Sequence, residues 1–154
     1  ISEYGITYVG EVFVSDNFHQ VTTKEEIDLF MNSTLFWLFQ NMIGRKSFGG
    51  GLLKIQTYEL EEILVLPTAK NGSETGKIYR RESRSIFEEC GINPSKPIRE
   101  QDPQPLPDRV ELDKVVFDAL DLTKDERKEV YWSVCELVKE RLDKAQSLKE
   151  EEDS

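Results

Sequence analysis

A cationic, glycine-rich segment in the first third of the chain contains residues whose side chains could bind an anionic partner. The segment consists of Arg45, Lys46, Ser47, Phe48, Gly49, Gly50 and Gly51. Guanidinium and ammonium groups bind phosphate oxygens, and glycines without a Cβ allow the backbone to approach a partner closely. We therefore expect this segment to bind a polyanion. The alternative is a flexible connection that carries ordinary surface charge.

Five polar residues downstream of this segment could extend the same surface. On the hypothesis that this surface contacts a nucleic acid, Lys54, Lys70 and Lys77 could bind phosphates. The amide groups of Gln56 or Asn71, or an arginine, could then reach the edges of bases. The alternative for all five is an ordinary solvated surface.

The distribution of charge decides whether an acidic chain could bind a polyanion at all. The formal net charge is −10, which on its own argues against a nucleic-acid partner. Residues 45–84, however, contain eight Lys and Arg against five Asp and Glu, a local net charge of +3. A mildly basic middle between acidic ends permits contact with DNA over a limited face.

Catalytic motifs are absent from the sequence. A methyltransferase that acts on an exocyclic base nitrogen needs a glycine-rich cofactor turn and an Asn/Asp-Pro-Pro-aromatic motif. Asn93-Pro94-Ser95 lacks the second proline and the aromatic residue. The pair Pro107-Asp108 and Glu126-Arg127-Lys128 matches a metal-nuclease motif only by chance, because its parts fall at the starts of two separate predicted helices. With His19 as the single histidine, the chain is predicted to be non-catalytic and to bind no metal.

The spacing of apolar residues predicts the elements that must position the basic segment. Residues 4–22 alternate in polarity and are rich in β-formers, which predicts two short antiparallel strands. A capping box formed by Thr23 and Glu26 then opens a buried, aromatic-rich helix through Ile43. Gly44 is predicted to cap the end of this helix.

The following elements are shorter. They are a strand at 52–55, a helical turn at 58–63, an extended segment at 64–66, a loop at 68–76 and a helix at 78–90 that ends at Gly91. The fold class predicted from these elements is α+β. A small antiparallel sheet, made from the N-terminal strands and the 52–66 region, is expected to pack on the buried helix, followed by a helical C-terminal extension.

Prolines divide the sequence. Five of the six prolines lie in residues 93–107, which predicts a semi-extended linker. Beyond it, two amphipathic helices are predicted at 108–120 and 123–147, and their apolar faces could pair with a second copy of the chain. The predicted organisation is an α+β region at 1–92, the linker at 93–107, a helical extension at 108–148 and an acidic, disordered tail at 149–154.

Bulk properties narrow the cellular setting. The two cysteines, Cys90 and Cys135, have no second cysteine nearby in sequence, so we expect buried thiols and a reducing, cytoplasmic compartment. No apolar run is long enough for a membrane span. The chain begins with Ile1 in an alternating apolar stretch, which suggests an excised fragment.

Several short motifs, taken together, are similar to a known family. They are Asn32-Ser33-Thr34-Leu35-Phe36-Trp37, Gly44-Arg45, Gly49-Gly50-Gly51, Leu53-Lys54-Ile55, Tyr58-Glu59-Leu60, Leu64-Val65-Leu66-Pro67, Asp108-Arg109, Leu112-Asp113, Phe117-Asp118-Ala119-Leu120, Leu122-Thr123, Glu126-Arg127 and Val130-Tyr131. This set resembles the C-terminal target-recognition region of adenine-specific DNA methyltransferases, including single-chain restriction–modification enzymes. The resemblance covers most of the chain.

The resemblance implies a division of labour. An upstream domain would bind S-adenosylmethionine and methylate the amino group of a flipped adenine, so no cofactor is expected in this chain. The chain itself would clamp double-stranded DNA and read bases, with the parent's methyltransferase domain as its second partner. An alternative from another class is a protein-interaction module that docks on that domain, or on a partner subunit, without touching DNA.

Overall fold

The computed structural model describes residues 19, 21, 27–48, 52–67, 82 and 84–152. Within these ranges the chain is predominantly helical. None of the described helices is both long enough and apolar enough to cross a membrane.

Six α-helices and two short strands make up the described part of the chain. In order they are α1 (Asp28–Met31), α2 (Thr34–Ile43), β1 (Arg45–Phe48), β2 (Leu52–Lys54), α3 (Thr57–Glu61), α4 (Ile86–Cys90), α5 (Pro107–Ala119) and α6 (Lys124–Glu152). A 3-10 turn at Ile98–Glu100 lies between α4 and α5.

The predicted α+β fold, with an antiparallel sheet packed on a helix, is wrong. The described residues contain only a two-stranded hairpin of β1 and β2, and residues 64–66 form no strand. The partner of the 52–54 strand is residues 45–48 of the basic segment, which pair with it antiparallel. The predicted strands at 4–22 and the loop at 68–76 lie outside the described residues, apart from His19 and Val21, which are in neither helix nor strand.

The predicted helix ending at Ile43 is interrupted. Ser33 adopts an extended backbone conformation (φ −76°, ψ 156°), and its hydroxyl oxygen accepts a hydrogen bond from the Phe36 N–H. This side chain satisfies an amide at the start of α2, so a new helix begins there and α1 ends. Gly44 ends α2 as predicted, and its N–H donates to the carbonyl of Gln40. The capping box predicted at Thr23 and Glu26 lies outside the described residues.

Helix α4 begins later than the predicted start at residue 78. Ser85 is extended and its hydroxyl oxygen accepts from the Glu88 N–H, while the Glu88 carboxylate accepts from the Ser85 N–H. Gly91 ends α4 in the left-handed conformation (φ 62°), as expected for a glycine cap. A Cβ at Gly91 would lie 1.8 Å from the carbonyl oxygen of Gln104.

The proline-rich segment 93–107 is ordered against the helices. Ile98 is buried in the core. The Leu106 N–H donates to the carbonyl of Glu89 on α4. The indole Nε1 of Trp132 on α6 donates to the carbonyl of Gln101 at 2.8 Å. These contacts hold the segment across α4 and α6.

Helices α5 and α6 supply the other side of the core. The predicted helix 108–120 is present as α5, with Pro107 in its first turn. The predicted capping box of Thr123 and Glu126 opens α6. Helix α6 continues through Glu152, so residues 149–152, which were expected in a disordered tail, are helical.

One hydrophobic core contains residues from both sides of the proline-rich segment. Phe30, Phe36 and Trp37 of α1 and α2 pack in the same cluster as residues of α4, α5 and α6. The apolar faces of α5 and α6 that suggested pairing with a second copy are used here. They contribute Val116, Phe117, Val130, Val134 and Val138 to the core.

Candidate nucleic-acid interface

The hairpin is fixed to the end of α2 by a close approach at Gly44. A Cβ at Gly44 would lie 2.4 Å from Cδ1 of Leu53 and 2.8 Å from the carbonyl oxygen of Gln40. Gly44 is buried, and its missing side chain leaves room for the side chain of Leu53 beside the last turn of α2. This contact joins the hairpin to the end of α2.

Two predicted phosphate-binding residues lie opposite each other on this hairpin. Arg45 of β1 and Lys54 of β2 are directly paired in the antiparallel register, and both are exposed. Residues paired in this way project from the same face of a sheet.

Arg45 also has an acidic partner, Glu59 of α3. The Arg45 Nε donates to Oε1 of Glu59 at 2.8 Å, and the two side chains are 47% and 14% exposed. Arg45 Nη2 donates to the hydroxyl of Tyr58, and the guanidinium carbon lies 5.7 Å from the centroid of the Tyr58 ring. One edge of the guanidinium is thus occupied, and its positive charge is partly compensated.

Glu59 is itself held by the start of α3. Its Oε2 accepts a hydrogen bond from the Gln56 N–H at 2.7 Å. The Gln56 side chain in turn accepts from the Glu59 N–H, which completes a capping box. The hydrogen bond from the Gln56 N–H lowers the pKa of Glu59 most, and the hydrogen bond from Arg45 lowers it further. The carboxylate is therefore ionised and immobile beside Arg45 at neutral pH.

The structure places only some of the predicted DNA-binding residues. Arg45 and Lys54 are brought together on the hairpin, whereas the Gln56 side chain caps α3. Lys46 and Ser47 belong to β1, but their side chains are outside the described part. The remaining predicted site residues, all outside the described ranges, are Gly49, Gly50, Lys70, Asn71 and Lys77.

An apolar groove of about 370 Å³ is lined by residues of α1, α2 and α3. Met31, Phe36, Leu60, Ile63 and His19 are among its lining residues. His19 Nε2 lies 3.0 Å from the carbonyl oxygen of Ile55, and the side chain is exposed. Within the described ranges, no group of three His, Cys, Asp or Glu residues is placed to hold a metal ion.

Several large apolar side chains of α2, α3 and the segment after α3 face solvent. Leu64 is 89% exposed and Met42 64% exposed. Tyr58 and Val65 are also exposed. Exposed apolar side chains that form a contiguous patch are typical of sites where another protein docks.

A buried polar network connects α2, α4 and α5 on the inner side of the fold. Arg109 of α5 is 3% exposed and donates to Oε2 of Glu89 at 3.2 Å and to the carbonyl of Asn32 at 2.6 Å. Its guanidinium carbon lies 4.0 Å from the centroid of the Trp37 ring. Asp113, one turn further along α5, accepts from Thr34 of α2. Since these groups are enclosed and bonded to one another, the network acts as a scaffold for α2.

Burial raises the pKa of two groups in the core. Burial raises the pKa of Asp113, although Arg109 and the hydrogen bonds from Thr34 act in the other direction. Burial likewise raises the pKa of the Cys90 thiol, which lies against Cys135. Both cysteines are buried free thiols, as the sequence predicts.

The partners of Arg45 were not anticipated from the sequence. Tyr58 and Glu59 were assigned only to a helical turn, although the spacing of Gln56 and Glu59 is that of a capping pair. A search for capping pairs near each candidate cation would have found Glu59. The i, i+4 spacing of Arg109 and Asp113 on α5 is a comparable signal for the buried network.

Comparison of the chain with protein-family models, with curated proteins and with solved structures gives no match. Its function therefore has to be inferred from the chain's own residues and their geometry.

Proposed function

We propose that this chain is the target-recognition region of an S-adenosylmethionine-dependent adenine DNA methyltransferase of a restriction–modification system. In this proposal it forms the C-terminal part of a cytoplasmic enzyme and is itself non-catalytic. An upstream domain of the parent would hold the cofactor and methylate the adenine. The chain would contact double-stranded DNA through the hairpin of β1 and β2.

The observation that carries this proposal is the pairing of Arg45 with Lys54 across an exposed hairpin. The connection between the two strands is three glycines, which leave room for a phosphate backbone to approach. The base of the hairpin is fixed by the contact between Gly44 and Leu53. A cationic hairpin with glycines between its strands is suited to bind a groove or backbone of duplex DNA.

The negative charge of the chain does not oppose this role at the hairpin. Many acidic groups of α5 and α6 are engaged with cations of their own. Asp118 pairs with Lys114 and Arg127, and Glu129 and Glu136 both pair with Arg99. Screening by salt also limits the reach of exposed charges to about 8–10 Å near physiological ionic strength.

A titration of salt concentration tests the proposal. The affinity of the chain for mixed-sequence duplexes is measured by fluorescence anisotropy at several salt concentrations, for the wild type, Lys54→Ala and Lys46→Ala. Each lysine that contacts a phosphate accounts for about 0.9 in the slope of log affinity against log salt. We expect both variants to lose about that much and to weaken binding to all sequences alike.

The matched control is Lys139→Ala, because Lys139 lies on α6 and pairs with Asp143. It changes the net charge by the same amount away from the hairpin. If Lys54→Ala and Lys46→Ala behave like this control, the hairpin does not contact DNA. The same three substitutions in the proposed parent enzyme, assayed by methylation, provide a second readout.

A second candidate function is supported by the exposed apolar surface of Met42, Tyr58, Leu64 and Val65. This surface could dock on the parent's methyltransferase domain, with or without DNA contact by the hairpin. Leu64→Ser would then weaken association with that domain, expressed separately, while leaving the salt slope of DNA binding unchanged. Equal association of Leu64→Ser and the wild type would remove this candidate.

A further inference from the structure

The guanidinium of Arg45 has two edges, and residues in the described part of the chain bond to only one of them. Nε and one N–H of Nη2 are directed to Glu59 and Tyr58. The other edge, formed by Nη1 and the second N–H of Nη2, has no acceptor among the residues that the structure describes. Because the side chain is 47% exposed, this free edge is accessible to a ligand.

The free edge presents two parallel N–H donors in a fixed plane. That pattern matches two acceptors side by side, and in the major groove of DNA it is guanine that offers O6 and N7 in this arrangement. Glu59 is fixed by the Gln56 N–H, and Tyr58 contacts the guanidinium. Arg45 is therefore held in one orientation before any ligand arrives, which reduces the entropic cost of forming a bidentate contact.

The carboxylate of Glu59 also favours a base edge over a phosphate as the ligand of Arg45. An arginine that binds phosphate gains both from its planar fork and from its positive charge, and an ionised carboxylate 2.8 Å away compensates that charge. Directional hydrogen bonds to a neutral base edge depend less on net charge and more on orientation. The N–H donors on the second edge of Arg45 therefore stay available, while the Glu59 carboxylate cancels much of the attraction between Arg45 and a phosphate.

We propose that Arg45 reads a guanine in the major groove, and that Glu59 and Tyr58 are positioning residues that aim its free edge. This inference rests on the proposed function, in which the hairpin contacts duplex DNA. Lys54, paired with Arg45 across the hairpin, supplies the phosphate contact that Arg45 does not.

The test measures base preference separately from overall affinity. Duplexes bound by the wild-type chain are selected from a randomised pool. The dissociation constant is then measured for the best duplex and for versions with each base pair replaced. We expect a preference for guanine at one position on the order of tenfold or more. The variants compared are Arg45→Lys, Glu59→Gln, Tyr58→Phe and the control Arg99→Lys.

Each variant isolates one part of the arrangement. Arg45→Lys keeps the charge but loses the planar fork, so the guanine preference should disappear while the salt slope stays the same. Glu59→Gln keeps an acceptor for the capping box but frees Arg45 to bind phosphates. It should reduce the preference several-fold and steepen the salt slope. Tyr58→Phe should reduce the preference less. Arg99, an exposed arginine bonded to Glu129 and Glu136, should have no effect on preference.

Three outcomes are distinguishable. Loss of preference in Arg45→Lys together with reduced preference in Glu59→Gln supports the inference. If Glu59→Gln strengthens binding to every duplex equally and Arg45→Lys leaves base preference unchanged, Arg45 is a phosphate contact. That result overturns the inference and leaves the proposed function standing. If the wild type binds no duplex at low salt, both are overturned. Circular dichroism of each variant verifies that the helices are retained.

Discussion

Asp113 on α5 accepts two hydrogen bonds from Thr34 at the start of α2, one from the backbone N–H at 2.7 Å and one from the hydroxyl at 2.6 Å. The two residues are 79 positions apart in sequence and both fully buried. Thr34 is the first residue of the helix that leads into the hairpin. Asp113 therefore joins the C-terminal helices to the element that supports the candidate DNA-binding surface.

Replacing Asp113 with Ala should destabilise the fold strongly. The substitution leaves the Thr34 N–H, the Thr34 hydroxyl and the Tyr131 hydroxyl without their acceptor. At about 1 kcal/mol for each lost hydrogen bond, we expect a loss of about 3 kcal/mol in the free energy of unfolding, measured by urea denaturation. Asp118→Ala on the same helix is the control, since an exposed ion pair contributes at most about 1 kcal/mol. Equal costs for the two substitutions would contradict a capping role for Asp113.

The start of α6 should show an acid-sensitive contribution to stability. Hydrogen bonds from the hydroxyl and the backbone N–H of Thr123 lower the pKa of Glu126 below its ordinary value of 4.5. Because the folded-state pKa is depressed, the stabilisation is fully present above pH 4.5. It is lost as the pH falls through the folded-state pKa.

The pKa of Glu126 can be followed by NMR of its side-chain carboxyl carbon during an acid titration. Thr123→Ala removes the hydroxyl whose hydrogen bond lowers the pKa of Glu126 most. The pKa of Glu126 should therefore move back toward 4.5. Glu126→Gln should remove this contribution to the acid dependence of unfolding while keeping the cap acceptor. A titration midpoint of Glu126 that is the same in the wild type and in Thr123→Ala would refute the prediction.

Gly91 should tolerate no side chain at all. Its φ of 62° disfavours most residues, and a Cβ would also lie 1.8 Å from the backbone oxygen of Gln104. We expect Gly91→Ala to cost at least about 2 kcal/mol, since a left-handed residue alone costs about 1–2 kcal/mol and the clash adds to it. Asparagine tolerates this backbone conformation better than alanine. Comparing the Tm of Gly91→Asn with that of Gly91→Ala therefore separates the cost of the left-handed backbone from the cost of the clash with Gln104. A Tm of Gly91→Asn near that of the wild type would show that the clash is relieved without cost.

The helices of this chain were largely predictable because their signals are local. The Thr123–Glu126 capping box and the Gly91 cap lie within the elements they limit, so their chemistry does not depend on the rest of the fold. The prediction of the sheet was wrong because strand pairing does not depend on local signals alone. Strand pairing is a long-range choice, and the alternation in residues 4–22 does not specify which segment pairs with residues 52–54.

The interruption at Ser33 and the partners of Arg45 show a second limit of sequence patterns. The apolar spacing of residues 27–43 fits one continuous helix, and it is the hydroxyl of Ser33 together with Asp113, far along the chain, that starts a new one. The sequence places the candidate site on a segment of cations, of which Arg45 and Lys54 are described, and this site stays a prediction. Its geometry depends on Glu59, whose role as a cap is visible in sequence while its contact with Arg45 is not.

Arg109 and Glu89 should behave as a coupled pair in a double-mutant cycle. Both side chains are almost completely buried, at 3% and 1% exposure, with 3.2 Å between Nε and Oε2. Removing one partner leaves a charge in the interior, so we expect Arg109→Met and Glu89→Gln each to cost about 3–5 kcal/mol. The double variant should be less destabilised than the sum of the two, by at least about 1 kcal/mol, because neither charge then remains.

The exposed pair of Arg99 and Glu129, joined at 2.7 Å, is the matched control for this cycle. The corresponding substitutions, Arg99→Met and Glu129→Gln, should each change the free energy of unfolding by less than about 1 kcal/mol. Their coupling should shrink further at high salt, whereas the coupling between Arg109 and Glu89 should not, because buried charges are screened much less. Additive effects at Arg109 and Glu89 would mean that Asn32 and Trp37 hold the arginine without help from the carboxylate.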